Sequence, residues 1–315
     1  MKKKHYIPSF FSLLITVLFI SSCNNSNTSK LDANNEEKFT DATQKTELAS
    51  RQLSQEFKNY WYNGEAEITS YKLEQARYGE IRNGHAVLIY VTEDFLPQTQ
   101  VKADNQSPEN ISVLKLNATK KFNTGIYPYS IMQSTFYPLS NVQHALKISS
   151  SIQEWCGQAY TQLNNGSDFK IGSHSYFEGE ADQNFHLEKA VLENELWIQL
   201  RIDPSKLPVG KIQIIPSFEY TRLKHKTIKP YEAEAELTNE SYTINYPELE
   251  RTIVINFNDQ FPFEISGWTE SFKSGFGANA KQLTTKATKL VTIKSPYWGK
   301  NSNSDNVLRE TLQLE

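Results

Sequence analysis

The stretch "QEWCGQAYTQLNNGSDFKIGSHSYFEG", Gln153 to Gly179, sets two runs of alternating polar and apolar residues on either side of Asn165-Gly166. An Asn-Gly pair suits a two-residue type I′ turn, because both central positions need positive φ. The predicted hairpin places Trp155 opposite Tyr176 and Gly157 opposite His174. Two strands joined in this way pair antiparallel, and the same pattern recurs in both directions along the chain.

Upstream, "ARYGEIRNGHAVLIYV" contains Asn83-Gly84. The same turn chemistry predicts a hairpin that pairs Arg77 with Tyr90 and Gly79 with Leu88. Downstream, strand patterns run through "KIQIIPSFEYTRL", "YEAEAEL", "SYTINY", "RTIVINF" and "FEISGWTESF". Two segments break the two-residue period. In "TELASRQLSQEFKNYWYNG", Leu53, Phe57, Tyr60 and Trp61 recur at helical spacing, with Gly64 available as a stop. In "LEKAVLENELWIQLRIDP", Leu192, Leu196 and Leu200 stand four apart before Pro204, which predicts a helix from about Leu187. The expected fold is all-β dominated: a large antiparallel sheet, curled into a barrel or half-barrel that hides its edges, with an N-terminal helix and one inserted helix, both peripheral.

The start of the chain reads differently. Three lysines, an apolar run from Phe10 to Ile20 and "SSC" have the layout of a secretory leader ending at a lipobox-like Cys23. The run is shorter than the roughly 20 apolar residues that a bilayer span needs. Residues 1–22 are therefore expected to be a lipoprotein signal peptide and Cys23 the lipid attachment site. Residues 23–43, rich in Asn, Ser and acids, then form a flexible tether, and 44–315 a single β-rich domain. By resemblance to known lipoprotein sorting rules, Asn24 after the cysteine implies the outer membrane, on its periplasmic side.

Loss of the leader removes three lysines, which leaves 30 basic against 36 acidic residues and a net charge of −6. A mildly acidic chain with dispersed lysines gives no electrostatic footprint for nucleic acid. Cys156 is the one cysteine besides Cys23, so no Cys-based metal framework is available. The predicted register turns Cys156 toward the side of Ile171 and Phe177, away from His174, and implies a buried structural thiol.

The same stretch holds the candidate ligand face: Trp155, His174, Tyr176, Glu178 and Glu180. Alternation puts His174, Tyr176, Glu178 and Glu180 on one side of the strand and Ser175, Phe177 and Gly179 on the other. The acidic side is expected to face solvent. The cluster lacks His-Glu-x-x-His spacing, and neither a metal nor another cofactor is expected. Glu178 and Glu180 are the alternative candidates for an acid and base pair acting on a glycan. The aromatics Trp155 and Tyr176, with Tyr60, Trp61 and Tyr62 upstream, either line a pocket or stabilise the sheet. "SGFGANAK", Ser274 to Lys281, lacks phosphate-loop spacing and is expected to be a turn.

The segments "YWYNGEAEITSY", "NTGIYPYSIMQSTFYP", "EWCGQAYTQLNN", "SYFEGEAD" and "YWGKNSNSDNVLRETL" resemble a family of uncharacterised lipoproteins from flavobacteria and their relatives, often labelled septum formation inhibitor Maf. The likeness covers essentially everything after the tether. The pyrophosphatase chemistry behind that label depends on a Ser-Pro-Arg-Arg element that this chain lacks. The resemblance therefore implies location and family membership, and no catalytic residue. The function expected from the sequence is that of a lipid-anchored periplasmic protein, without established catalysis, that binds an envelope lipid, glycan or protein. A hydrolase of envelope glycans using Glu178 and Glu180 is the alternative.

Overall fold

In the computed structural model, residues 50–141 and 143–314 are described. The leader, Cys23 and the tether lie outside the described residues. Ser54 starts the first helix: its hydroxyl accepts from the Phe57 amide at 3.0 Å, satisfying one of the four free donors of a helix start. Helix α1 (Gln55–Trp61) buries Phe57 and Trp61, two of the residues picked out by the helical spacing.

Nine strands follow in order: β1 (Ala66–Arg77), β2 (Glu80–Leu96), β3 (Val101–Lys102), β4 (Ile111–Thr124), β5 (Tyr127–Pro138), β6 (Lys147–Glu154), β7 (Gly157–Asn165), β8 (Phe169–Ser175) and β9 (Gln183–Leu187). After the short β10 (Val191–Leu192) come α2 (Glu193–Ile202), β11 (Gly210–Ile215) and α3 (Phe218–Leu223). Strands β12 (Tyr231–Leu237), β13 (Ser241–Tyr246), β14 (Arg251–Phe257), β15 (Ile265–Ser274) and β16 (Lys281–Ser295) complete the sheet before α4 (Val307–Thr311).

All sixteen strands belong to one sheet, in the order β10 to β16, then β1, β2 and β4 to β9, with β3 beside β2. The pairs are antiparallel except β10 with β11. The two edge strands, β9 and β10, are consecutive in the chain. Residues 188–190 join them, so Leu187 and Val191 stand at most ~15 Å apart at 3.8 Å per Cα step. The ends of the sheet are thereby brought back together, which gives the β-dominated, barrel-like curl expected from the sequence.

The curl closes around α2, and this overturns its expected peripheral position. Leu196, Ile198 and Leu200 are buried, as are Glu193, Glu195 and Arg201. The helix is tied to both halves of the sheet. Arg201 pairs with Glu67 on β1, the Tyr90 hydroxyl on β2 donates to the Trp197 carbonyl, and Arg251 on β14 pairs with Glu193. Its start is also later than predicted. Leu187 ends β9, and Val191 and Leu192 pair with Ile214 and Ile215 before the helix begins.

The hairpin predicted about Asn83-Gly84 is not formed, since Glu80–Leu96 is one continuous strand, and the hairpin predicted about Asn165-Gly166 is present with a shifted register. In place of the first, the turn falls at Tyr78 and Gly79, with φ of 52° and 78°, and Arg77 pairs with Glu80. Tertiary contacts hold Tyr78 in this unusual conformation: Arg77 lies over its ring at 4.1 Å and its hydroxyl meets that of Tyr129 at 2.9 Å. Asn83 and Gly84 lie inside β2. Gly84 answers a different need, because a Cβ there would stand 2.1 Å from the Lys121 carbonyl oxygen on β4. Gly84→Ala is therefore expected to destabilise the fold by about 1–3 kcal/mol through forced separation of β2 and β4, measured as a shift in the urea midpoint. An unchanged midpoint would refute the close-approach explanation.

In the second hairpin, Asn165 is the last paired residue of β7, opposite Phe169. It is held there by its side chain, which donates to the Ala145 carbonyl at 3.1 Å. The loop is Gly166 to Asp168, and His174 faces Tyr160 instead of Gly157. Trp155 and Cys156 form the β6–β7 turn, so the buried thiol is corrected: Cys156 is exposed. The Glu154 carboxylate beside it pushes the thiol up from its usual range. The segment "SFEYTRL", read as strand, is α3, because Ser217 caps it by accepting from the Tyr220 amide at 3.3 Å.

Antiparallel order sends the turns at 78–79, 125–126, 155–156, 176–182, 247–250 and 275–280 to one end of the sheet. The 216–230 connection with α3 returns at the same end. This end is the hairpin rim. Ser50 enters at the opposite end, bridged to Asn141 beyond the close of β5.

Candidate functional site

Alternation along each strand decides which polar groups enter the interior. On β4, Leu116, Ala118, Lys120 and Phe122 share the inner side. On β15 the inner side is Trp268, Glu270, Phe272 and Ser274, and on β14 it begins with Arg251. Lys120, Glu270 and Arg251 are thus inward-facing charges between apolar neighbours. Unpaired, each would carry a heavy desolvation cost. They meet two carboxylates from the enclosed helices, Glu193 of α2 and Glu219 of α3.

Arg251 organises one side of this cluster. Its Nε donates to Glu270 at 2.6 Å and its Nη2 to Glu193 at 2.7 Å. The Tyr246 hydroxyl adds a bond to Glu193 at 2.7 Å. Burial pushes the Glu193 carboxyl up, but the Arg251 guanidinium pulls harder and holds it below the usual carboxylate range. Lys120 organises the other side, donating to Glu219 at 2.7 Å, while Gln133 donates to the second carboxylate oxygen at 3.2 Å. Three carboxylates face two cations, so one negative charge is in excess. Glu219 bears that excess. Burial raises its carboxyl, Lys120 opposes and the Glu270 carboxylate adds to the rise, leaving it above the usual range.

Glu219, Tyr220 and Glu270 form a wall with a cavity on each side. Inward lies a small chamber of about 50 Å³ with Lys120, Arg251 and Trp268 in its lining. Outward, at the hairpin rim, lies a cleft of about 530 Å³. Its walls come from the end of β1 and its turn (Gln75, Arg77, Tyr78), α3 and its C-cap (Tyr220, Lys224) and the β15–β16 hairpin (Phe272, Phe276). Gln75 is 2% exposed. Its Nε2 donates to Thr285 Oγ1 at 3.1 Å, and its Oε1 is buried without a donor among the described residues. A concave site with aromatic walls, a few convergent polar groups and a perturbed carboxyl has the general character of a small-molecule site.

The residues picked from the sequence sit on neighbouring turns of the same rim, in separate environments. Trp155, 68% exposed, caps the β6–β7 turn with its ring 6.4 Å from Tyr127. His174 and Tyr176 line a shallow depression beside Gly157 and Tyr160, and His174 lies 3.3 Å from Asp182. Glu178 is exposed in the turn after β8. Glu180 is held by three donors: Ser175 Oγ at 2.7 Å, His225 Nδ1 at 2.8 Å and Arg222 Nη1 at 3.2 Å. Tyr60 and Trp61 lie elsewhere, on α1, where Tyr60 donates to Glu67. Among the described residues, no group of three or more His, Cys, Asp or Glu side chains is placed to hold a metal ion.

Sequence reasoning missed Gln75, Lys120, Glu219, Arg251 and Glu270. The signal for Lys120 and Glu270 was present, since each is a charge at an inward position of an otherwise apolar alternation. Glu219 was hidden by the reading of α3 as strand, although Pro216-Ser217 followed by Glu219 is a helix-start pattern.

No protein-family model and no curated protein matches the chain. Among solved structures, it is similar to the crystal structure of a β-barrel-like protein of domain of unknown function DUF1849 from Brucella abortus. That likeness has a TM-score of 0.40 and 6% sequence identity, and covers 73% of this chain and 96% of that one. A likeness this distant carries no argument about function.

Proposed function

We propose that the protein is a lipid-anchored envelope protein, held through Cys23 at the periplasmic face of the outer membrane, and that it binds an envelope glycan in the rim cleft. The leader, the lipobox-like cysteine and the resemblance to flavobacterial lipoproteins support the location. One observation supports the ligand class: Gln75, a residue of the cleft lining, holds a buried Oε1 without a donor among the described residues. A native structure rarely leaves such a group unmatched without a reason. A hydroxyl-rich ligand supplies the missing donor, while Tyr78, Phe272 and Phe276 offer apolar surface to the faces of sugar rings. For the hydrolytic alternative, Glu178 and Glu180 line one groove of about 1020 Å³, in which Glu180 is engaged by three donors and Glu178 is exposed.

Residues 47–315 form one compact unit that contains every strand and helix named above. This segment, titrated calorimetrically with disaccharide-peptide fragments of the cell wall and with core oligosaccharides of lipopolysaccharide, is expected to bind at least one of these probes. Gln75→Leu keeps the size of the side chain and removes the acceptor. It is expected to weaken that binding about tenfold, the scale of one lost hydrogen bond, while loss of the buried Nε2 bond to Thr285 Oγ1 lowers stability by about 1 kcal/mol, read separately by urea titration. Failure of the segment to bind any of these glycans, or equal affinity in Gln75→Leu, would refute the reading.

A further inference from the structure

Five hairpins stand side by side along the sheet: β15–β16, β1–β2, β4–β5, β6–β7 and β8–β9. The connection at the rim end of each presents a large apolar or aromatic side chain to solvent. They are Phe276, Tyr78, Ile126, Trp155 and Tyr176, in that order. Ile126 is 81% exposed, Tyr176 77%, Phe276 72% and Trp155 68%, the four highest values among exposed large hydrophobic residues. All four sit at hairpin tips on this one rim. Turns ordinarily take small or polar residues for conformational reasons, so five consecutive tips of this kind call for a cause outside local structure.

The geometry points to a lipid bilayer as the occupant: we infer that the hairpin rim docks on a membrane surface by inserting Ile126, Trp155 and Tyr176 at the headgroup level, with Tyr78 and Phe276 left at the mouth of the cleft beside them. Neighbouring strands lie about 4.8 Å apart, so adjacent hairpin tips are spaced roughly 10 Å from one another. Ile126, Trp155 and Tyr176, on three adjacent hairpins, therefore follow roughly 20 Å of the curled rim, whereas Tyr78 and Phe276 pack ring to ring at 6.0 Å. A protein partner needs a contiguous, closely packed apolar centre. A fluid interface accepts isolated side chains, and Trp and Tyr are the residues enriched there, with an apolar ring below and a polar group above. Charge on the rim is mixed, with Arg77, Lys224 and Lys273 against Glu80, Glu154 and Glu178. Binding is thus expected to rest on apolar insertion, with little dependence on salt.

The expected lipid anchor is compatible with this placement. Ser50 enters at the far end of the sheet, about 48 Å from the rim along the 14 residues of β4 at ~3.4 Å per residue. The 26 residues between Cys23 and Ser50 span up to ~90 Å when extended.

Cys156, exposed beside Trp155, is the one thiol in residues 47–315 and gives a reporter at a tip. The unlipidated 47–315 segment, labelled there with an environment-sensitive fluorophore, is mixed with vesicles of phosphatidylethanolamine and phosphatidylglycerol. The label is expected to shift to the blue, and the unlabelled protein to float with the vesicles in low and high salt alike. The triple variant Ile126→Ser/Trp155→Ser/Tyr176→Ser changes exposed residues outside the cleft lining. It is expected to keep its thermal midpoint and to lose vesicle affinity by at least about tenfold. Absence of flotation, flotation abolished by salt, or equal flotation of the triple variant would overturn the inference. Glycan binding by the cleft is read separately, so failure of one leaves the other standing.

Discussion

Arg251→Met is expected to lower the stability of the protein by about 3–5 kcal/mol, the usual cost of removing one partner from a buried ion pair. The figure follows from what is left behind. Arg251 is 1% exposed and holds two carboxylates, Glu193 through a forked pair of bonds and Glu270 through Nε. Without it, both face an apolar interior with no cation able to replace it, since Lys120 is already committed to Glu219. Two further outcomes separate this cause from simple loss of packing. The deficit should shrink in acid, where the orphaned carboxyls take up protons. Arg251→Met/Glu193→Gln/Glu270→Leu should recover much of it, because replacing a whole buried ion network with uncharged groups is often neutral or stabilising. Urea titration with an unchanged slope is the measurement. A triple variant no more stable than Arg251→Met would show that packing of the guanidinium against Tyr220, at 4.1 Å, is the larger contribution.

The same reasoning applies at the other end of α2. Arg201 donates to both oxygens of Glu67, at 2.6 and 2.7 Å, and Nε donates to the Pro262 carbonyl at 2.8 Å. Tyr90 and Trp61 lie around the guanidinium at 4.7 and 5.0 Å. Helix α2 is thus pinned near its start by Arg251 and near its end by Arg201. Apolar packing alone would allow a helix inside a curled sheet to rotate or slide. Two buried ion pairs to different strands fix its register, and Arg251 also holds Glu270 in the wall between the inner chamber and the cleft.

Much of this architecture could be read from residue order. The strands of the second half, such as "YEAEAEL" and "RTIVINF", alternate so regularly that their inner faces were legible. Leu196 and Leu200 marked α2 for the same reason. The turns were less legible because local chemistry was outvoted. Asn83-Gly84 has better turn propensity than Tyr78-Gly79, yet the close approach of β4 required the glycine within the strand, and contacts from Arg77 and Tyr129 made the tyrosine tolerable at positive φ. At Asn165, a side-chain bond to the neighbouring β5–β6 connection extended the strand by one residue and moved the register. The cleft was least legible, since its lining joins β1, α3 and β15, distant in sequence. Only the antiparallel order of the complete sheet brings them to one rim. The candidate face of Trp155, His174, Tyr176, Glu178 and Glu180 was local in sequence, which made it visible, and the structure distributes it over separate depressions.

Stability should pass through a maximum on the acid side of neutrality, because the buried carboxyls are shifted in opposite directions. Glu67 and Glu193 are held below the usual range: burial pushes both up, and Arg201 and Arg251 more than compensate. Their contribution is fully present above the unfolded value of about 4.3. It is lost as pH falls through their folded values, since the unfolded chain then binds protons that the folded one resists. Glu219 has the opposite sign. Burial and the Glu270 carboxylate raise it against the pull of Lys120, so the folded state takes up its proton first. Stability should therefore rise as pH falls from neutrality toward about 4.3, and then collapse below it. Glu219→Gln should remove the rise and keep the collapse, since it leaves the Glu67 and Glu193 pairs in place. Urea midpoints measured across this range for both proteins decide the matter. A steady fall from neutral pH downward in the unaltered protein, or a rise that survives Glu219→Gln, would mean that the excess negative charge of the inner cluster does not reside on Glu219.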